Sequence, residues 1–340
     1  MRIVIGCDTS NRYVSQLAHS LSSHRDVEAA TESLYRFWRP PEEVDILHIQ
    51  WPEALFNWKD PKAWEVARLA ERLEKWSSKA RIVTTVHNYE PHEVDNYQRL
   101  YRLVYKASDG IVHLGEASRN WFIDQYDFAS EKRHAVIPHG NYTCFPDCVT
   151  SAEARKQLDL SSDDYVCLCF GKIRNHAERA LLVEAFDRLE GGRNKLIIAG
   201  GGSVPRPSRR SVQYWRIKYD PRLRIYDDWV PDEEVQLYLR AADVVVIPRE
   251  GVLNSGNVAL GFTFGRTVVG PNEGVIGEIL NKTNNPAYES GDAQALTHAL
   301  EEARQDDARR GEQNKDYAME KMGWKNVSSK HVSMYGKFVR

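Results

Sequence analysis

VVVIPREGVLNSGNVALGFTFGRTVVGP, residues 244–271, decides the fold. Val244–Ile247, closed by Pro248, is too apolar for a surface strand and reads as a strand of a parallel sheet covered on both faces. A small-residue turn follows at Asn254-Ser255-Gly256. After it come an apolar helical segment, Val258–Phe264, a glycine C-cap at Gly265 and a second buried strand, Thr267–Gly270. The free N–H groups of that helix's first turn, with the positive end of its dipole, can hold a phosphate. Gly256 keeps a side chain out of an anion's way, and Ser255 can cap or donate. Plain helix capping by Asn254 and Ser255 fits the same residues, so the rest of the chain has to decide.

The chain has 340 residues, a length suited to two domains. Charged residues make up 28% and hydrophobic ones 42%, the balance of a globular chain. No apolar run approaches the ~20 residues that a membrane helix needs. Met1 leads directly into an apolar strand, which predicts no signal peptide and a cytoplasmic location. A net charge of −2 argues against a bulk nucleic-acid binder. Of the five cysteines, Cys167 and Cys169 lie in an apolar strand and read as core, while Cys144 and Cys148 lack further ligands at metal-site spacing.

Strand and helix signals alternate along the first half. Strands are expected at Ile3–Gly6, Asp45–Gln50, Arg81–His87, Gly110–Leu114 and His134–Pro138. Between them, helices are expected at Val14–Ser22, Pro61–Trp76, Gln98–Ala107 and Ser118–Tyr126. In Pro61–Trp76 the apolar stripe is read as Trp64, Ala67, Leu69, Leu73 and Trp76. Cys144–Ser162 is polar and irregular, and the domain boundary is placed there. The βα pattern then restarts with strands Tyr165–Phe170, Lys195–Ala199 and Leu223–Ile225, a helix Ala177–Leu189, and a helix Asp232–Ala241 capped by Asp232. Ala293–Gln305 and the tail beyond Glu312 read as helical. The domains are therefore 1–145 and 160–325, with a tail, 326–340, packing back on the first. Both are α/β, with a parallel sheet clothed by helices, and ligands are expected in the cleft at the carboxyl ends of the strands.

Polar residues recur just beyond those ends: His48, Trp51 and Glu53; His87, Asn88 and Glu90; His113 and Glu116; His139, Gly140 and Asn141. The second domain adds Gly171–Arg174, Gly200–Gly202, Arg249 and Glu250. Arg174 can grip a diphosphate bidentately. Lys172 competes for that role, although a surface ion pair is its plainer reading. His87 can bond a sugar hydroxyl, act as acid or base, or simply shape its loop. Pro205–Arg224 carries seven cations and three aromatic residues. A solvated loop is one reading of it, and a patch meeting an anionic membrane or a phosphate-bearing acceptor is the other.

In order and nearly end to end, the segments DILHIQWP, TTVHNYEPHE, VIPHGNY, FGKIRNHAERALLVEAFDRL, LIIAGGG, VPDEEVQLYLRAADVVVIPRE, NSGNVALGFTFGRTVVG and NEGVIGEIL resemble the GT-B glycosyltransferases, and among them the family-4-like, group 1 enzymes. The resemblance implies two Rossmann-like domains facing across a cleft, with the acceptor on the first and a nucleotide-sugar donor, a UDP- or GDP-sugar, on the second. It implies no cofactor and no metal, because protein groups neutralise the leaving diphosphate. Arg174 matches the family's phosphate-binding arginine, Asn254, Ser255 and Gly256 the diphosphate turn, and His87 the histidine near the reaction centre. Glu250 corresponds to the first glutamate of the family's pair. Two family features are missing: Ala177 stands where a lysine is usual, and the ribose-binding glutamate falls on or near Leu260. Glu278 matches a further family glutamate.

The expected activity is hexosyl transfer to a hydroxyl of a glycan or lipid-linked acceptor, with retention of configuration and with His87 and Glu250 as catalytic candidates. Trp51, Glu53, Asn88, Glu116 and His139 are the acceptor-side candidates, and peripheral association with the inner membrane face is part of this reading. An inverting enzyme would need a carboxylate base, for which Glu53, Glu90 and Glu116 are placed. A catalytically degenerate binding protein and a nucleotide-sugar epimerase are the remaining alternatives.

Overall fold

Strands covered on both faces can be apolar nearly throughout, as Val244–Val246 and Tyr165–Phe170 are, while the central strands of the other sheet, Ile46–Ile49 and Arg81–Val86, also bury His48, Thr84 and Thr85. The computed structural model describes residues 1–7, 11–41, 43–89, 95–200, 219–305 and 308–339. It forms two units, Met1–Gly140 with Glu320–Arg340, and Asn141–Met319.

The first unit is built on β1 (Arg2–Ile5), β2 (Ala29–Glu32), β3 (Ile46–Ile49), β4 (Arg81–Val86), β5 (Gly110–His113) and β6 (Arg133–Val136), in the order β2-β1-β3-β4-β5-β6. Every pairing is parallel. Alternate strand residues supply two cores. Ile3, Ile5, Ile46, Val83 and Val112 face α1 (Arg12–Ser22) and the last helix of the chain, Trp324–Val339. Val4, Leu47, Ile49 and Ile82 face α2 (Leu34–Trp38), α3 (Ala63–Ser77) and α4 (Asp95–Ala107). A further helix, α5 (Glu116–Gln125), follows β5. The last helix approaches closely because Gly140 has no side chain; a Cβ there would lie 2.2 Å from the Trp324 ring.

In the second unit, β7 (Tyr165–Phe170), β8 (Asn194–Ala199), β9 (Leu223–Tyr226), β10 (Val244–Val246), β11 (Thr267–Pro271) and β12 (Ala287–Tyr288) run parallel in the order β12-β11-β10-β7-β8-β9. Its helices are α6 (Ser151–Gln157), α7 (His176–Arg188), α8 (Asp232–Ala241), α9 (Gly256–Thr263), α10 (Gly274–Lys282), α11 (Ala293–Arg304) and α12 (Ala308–Glu320), and the last helix is α13. Leu182 and Phe186 of α7 pack with Leu296 and Leu300 of α11 over Cys167, Cys169, Leu196, Val244 and Val269. The chain builds outward from β7 to β9, then returns to β10 on the other side of β7. That reversal places a topological switch point between β7 and β10, where such sheets open a crevice.

Several expectations change. Cys144–Ser162 is not wholly irregular: Thr150 and Glu153 form a capping box that starts α6. The N-cap of α8 is Pro231, and Asp232 is its first helical residue. In α3 the buried stripe is Val66, Leu69, Leu73 and Trp76, while Trp64 is 59% exposed. β2 reads AATE and lies at the sheet edge, where a strand needs no apolar run. The units divide at Gly140 and Asn141, and the chain rejoins the first unit at Glu320. Gly265, at φ +65°, ends α9 as expected. Residues 205–218 of the basic stretch lie outside the described residues. Within its remainder Arg222 bonds Asp220 and Asp187, and Arg224 bonds the Leu158 and Asp159 carbonyls. No helix among the described residues is long and apolar enough to cross a membrane.

The first unit buries His48, His87, His113, His139 and His331. Burial lowers all five: His113 to about 3, His139 and His331 to about 4, and His48 and His87 well below the usual range. Unfolded, each histidine takes up a proton near pH ~6.5. Stability is therefore full above that pH and declines as pH falls, by up to about 1.4 kcal/mol per pH unit for each residue. Glu53, raised by burial, acts in the opposite sense. Urea denaturation of the first unit is expected to weaken steeply between pH 7 and 5; a flat profile would contradict this burial.

Candidate functional site

In the second unit the site grows from the carboxyl ends of β7 and β10. Beyond β7 the chain turns at Gly171, with φ +90°, and beyond β8 at Gly200, with φ +129°. A Cβ on Gly200 would lie 2.6 Å from the Gly171 Cα, so these turns touch through bare backbone. Glu178, in the first turn of α7 and 2% exposed, joins the loops that follow β7 and β10. Its carboxylate accepts from both sides of the switch point: from the Arg174 amide at 2.7 Å and from Arg249 Nη1 at 3.0 and 3.1 Å. Arg249 Nη2 in turn donates to the Lys172 carbonyl at 2.7 Å.

This network leaves the Arg174 guanidinium with no hydrogen bond or ion pair among the described residues. Crowding by protein, then the Arg249 charge, lowers its proton affinity, and Glu178 opposes that. Lys172 is exposed, and only its carbonyl joins the network. Ser255 is the N-cap of α9, its hydroxyl accepting from the Asn257 amide at 3.3 Å. Asn257 Nδ2 donates to the Phe170 carbonyl at 2.6 Å, which ties the start of α9 to the end of β7. The amides of Asn254, Ser255 and Gly256 have no hydrogen-bond partner among the described residues. A guanidinium and amides without hydrogen-bond partners among the described residues, with a helix N-terminus, are groups able to bind an anion. Glu250 is exposed, its carboxylate lying over Gly291. Leu260 is 4% exposed inside α9, so a side chain at that position points into the core. Glu178, Arg249 and Asn257 were not singled out as site residues, although Arg249 sits at a marked strand end.

In the first unit, β3 and β4 carry alternating residues that are apolar low in the sheet and polar at its carboxyl end. Ile46, His48 and Gln50 share a face with Val83, Thr85 and His87, the face that α1 and α13 cover. His87 is 5% exposed and donates through Nε2 to Gln50 Oε1 at 2.9 Å. Trp51 stacks on the ring with centroids 3.9 Å apart, and Tyr13 of α1 meets it edge-on at 5.4 Å. His139 lies against the same tyrosine at 4.5 Å and donates from Nδ1 to the Gly140 carbonyl.

Beside this aromatic box is a buried carboxyl. Glu53 sits in a short 3-10 turn, Pro52–Phe56, and accepts a 2.5 Å hydrogen bond from Tyr101 Oη and another from Asn88. Burial raises its pKa, while Tyr101, its own amide and Asn88 pull the other way. Trp51, Glu53, His87, Asn88 and His139 are thus brought together. Glu116 is not among them: it is exposed in the first turn of α5 and pairs with Arg119 at 3.3 Å. Glu90, Gly201 and Gly202 lie outside the described residues. Gln50, Tyr13 and Tyr101 are additions that the sequence reading did not single out; Gln50 was detectable as a polar residue closing an apolar strand.

If the Arg249–Glu178 pair organises the second site, Arg249→Met strands a buried carboxylate and is expected to cost about 3–5 kcal/mol in urea denaturation. Adding Glu178→Leu should recover most of that loss. A cost below ~1 kcal/mol for the single variant would contradict the assignment.

Known proteins share this fold. Residues 164–306 match the family model described as Glycosyl transferases group 1. Over 233 residues the chain is 24% identical to the GDP-mannose:glycolipid 4-beta-D-mannosyltransferase of Xanthomonas campestris pv. campestris, a match taking in 67% of this chain and 61% of that protein. The chain thus spans less than two thirds of that relative's length. Among solved structures, Anabaena HepE in complex with UDP and glucose superposes with a TM-score of 0.73 at 14% identity, covering 99% of this chain and 100% of that one. Sucrose-phosphate synthase from Thermosynechococcus elongatus does so at 0.69 and 15%, covering 99% and 98%. The protein therefore has the GT-B fold, and its residues 164–306 match the model of the glycosyl transferases group 1 family.

Proposed function

We propose that the protein transfers a sugar from a nucleotide diphosphate donor to a hydroxyl of a glycan or lipid-linked acceptor. The observation that carries this reading is that, among the described residues, the Arg174 guanidinium has no hydrogen bond or ion pair and the amides of Asn254, Ser255 and Gly256 have no partner, at the ends of the adjacent strands β7 and β10. The second unit would hold the donor diphosphate there, and these groups would neutralise the charge that develops on it as the sugar leaves, without a metal. UDP in the HepE complex and GDP-mannose in the name of the Xanthomonas relative support a UDP- or GDP-sugar donor. The glycolipid in that relative's name supports a lipid-linked acceptor, and peripheral membrane association belongs to the same proposal.

On the first unit, His87 would meet the sugar and Trp51, Asn88 and His139 would line the acceptor side. Retention of configuration, with the leaving diphosphate taking the acceptor's proton, is the primary reading. One observation favours a second. Glu53 is a buried carboxyl whose raised pKa suits a general base, so an inverting reaction would run through it. The anomeric configuration of the first product, read by NMR, separates the two. Glu53→Gln should reduce turnover at least a hundredfold only if the product is inverted.

Thermal-shift titration against UDP, GDP, ADP and TDP is expected to give a clear stabilisation with one base, unchanged by EDTA. Arg174→Ala should weaken that binding about tenfold or more, whereas His87→Ala should lower turnover more than nucleotide affinity. No shift with any of the four at millimolar concentration would contradict the proposal.

A further inference from the structure

A hydrogen-bonded chain runs through the first unit from its last helix to His87. Tyr335 Oη lies 2.7 Å from His48 Nδ1. His48 Nε2 lies 2.8 Å from Thr85 Oγ1 and 3.2 Å from Gln50 Nε2. Gln50 Oε1 lies 2.9 Å from His87 Nε2. His48 is fully buried, Gln50 and Tyr335 likewise, and His87 nearly so.

The directions of these bonds follow from what each atom can do. An amide nitrogen only donates, so His48 Nε2 must accept from Gln50, and from the Thr85 hydroxyl as well. A neutral imidazole has one N–H and one lone pair, which places the His48 proton on Nδ1, donated to Tyr335 Oη. An amide oxygen only accepts, so the proton of His87 is on Nε2. Burial keeps both rings neutral, since each is held well below its ordinary range. The lone pair of His87 then falls on Nδ1, which no hydrogen bond engages among the described residues.

We propose that Gln50, oriented by His48 and Tyr335, is a positioning residue that holds His87 in the Nε2–H tautomer and presents its Nδ1 as a hydrogen-bond acceptor. The consequence is chemical selectivity. Nδ1 can receive a proton from a hydroxyl of a sugar but offers nothing to a phosphate oxygen, which also only accepts. His87 therefore reads a hydroxyl of donor or acceptor sugar, and the diphosphate is left to other groups. This inference rests on the reading of His87 as a substrate-contacting residue, yet the tautomer itself is measurable without substrate.

The test is 15N NMR of the full chain labelled at histidine, with His87 assigned by loss of its signals in His87→Gln. The expected spectrum shows His87 protonated at Nε2 and His48 at Nδ1. Gln50→Leu should move the His87 proton from Nε2 to a mixture of both nitrogens and lower kcat at least tenfold with little change in donor KM. Gln50→Glu keeps an acceptor facing Nε2, so Nε2 should again be protonated, with the added negative charge raising the His87 pKa. A Gln50 that served only packing would lower the melting point in Gln50→Leu and leave the tautomer unmoved, which would overturn the proposal. So would a wild-type His87 protonated at Nδ1, the state in which the Gln50 amide is turned over and both tautomers reverse. If the tautomers are as expected but His87→Ala retains full kcat, the positioning chain stands and the catalytic reading of His87 fails.

Discussion

A carboxylate that is 2% exposed has to find compensation for the water it has lost, and Glu178 finds it in Arg249 and the Arg174 amide. Those two partners arrive from opposite sides of the switch point between β7 and β10. Pinning them to one carboxylate fixes the relative positions of the two loops that line the crevice. Arg249 is consumed in the process, its other nitrogen closing on the Lys172 carbonyl. The Arg174 guanidinium has no such partner among the described residues. The Asn257 contact to Phe170 then brings the N-terminus of α9 to the end of the same strand.

The first unit reaches order at its strand ends by the opposite route, with neutral groups. His48, Gln50, Thr85 and His87 occupy the face covered by α1 and α13, where an ionised ring would be costly. Each member of the chain is hydrogen-bonded to the next, and the chain ends on a tyrosine hydroxyl. Glu53 is the exception, a carboxyl placed where burial disfavours its charge and held by Tyr101 and Asn88. A single unit therefore presents a neutral hydrogen-bond acceptor at His87 beside a carboxyl whose charge burial disfavours. That pairing suits the recognition of hydroxyls rather than phosphates.

What could be read from the sequence follows the physics of burial. Val244–Val246 and Tyr165–Phe170 announce themselves because strands covered on both faces have no polar positions to spare. β2 and the 3-10 turn holding Glu53 do not, since edge strands and short turns carry no period. The helix start at Ser255 and Gly256 was legible because capping geometry is local. The Arg249–Glu178 pair spans 71 positions, and Tyr335 reaches His48 across 287, so no window of sequence contains either contact. Trp64 shows the converse: aromatic spacing in α3 suggested a buried face, and the stripe that is buried begins two residues later, at Val66.

The central claim is that a nucleoside diphosphate sits against the start of α9 and beside Arg174. Amide chemical-shift mapping of the 15N-labelled full chain with UDP or GDP tests it most directly. The account predicts that the largest shifts fall on Ser255, Gly256 and Gly171, with the Arg174 side-chain signal moving in parallel. Saturable shifts confined to another part of the protein, with these residues unmoved, would contradict it.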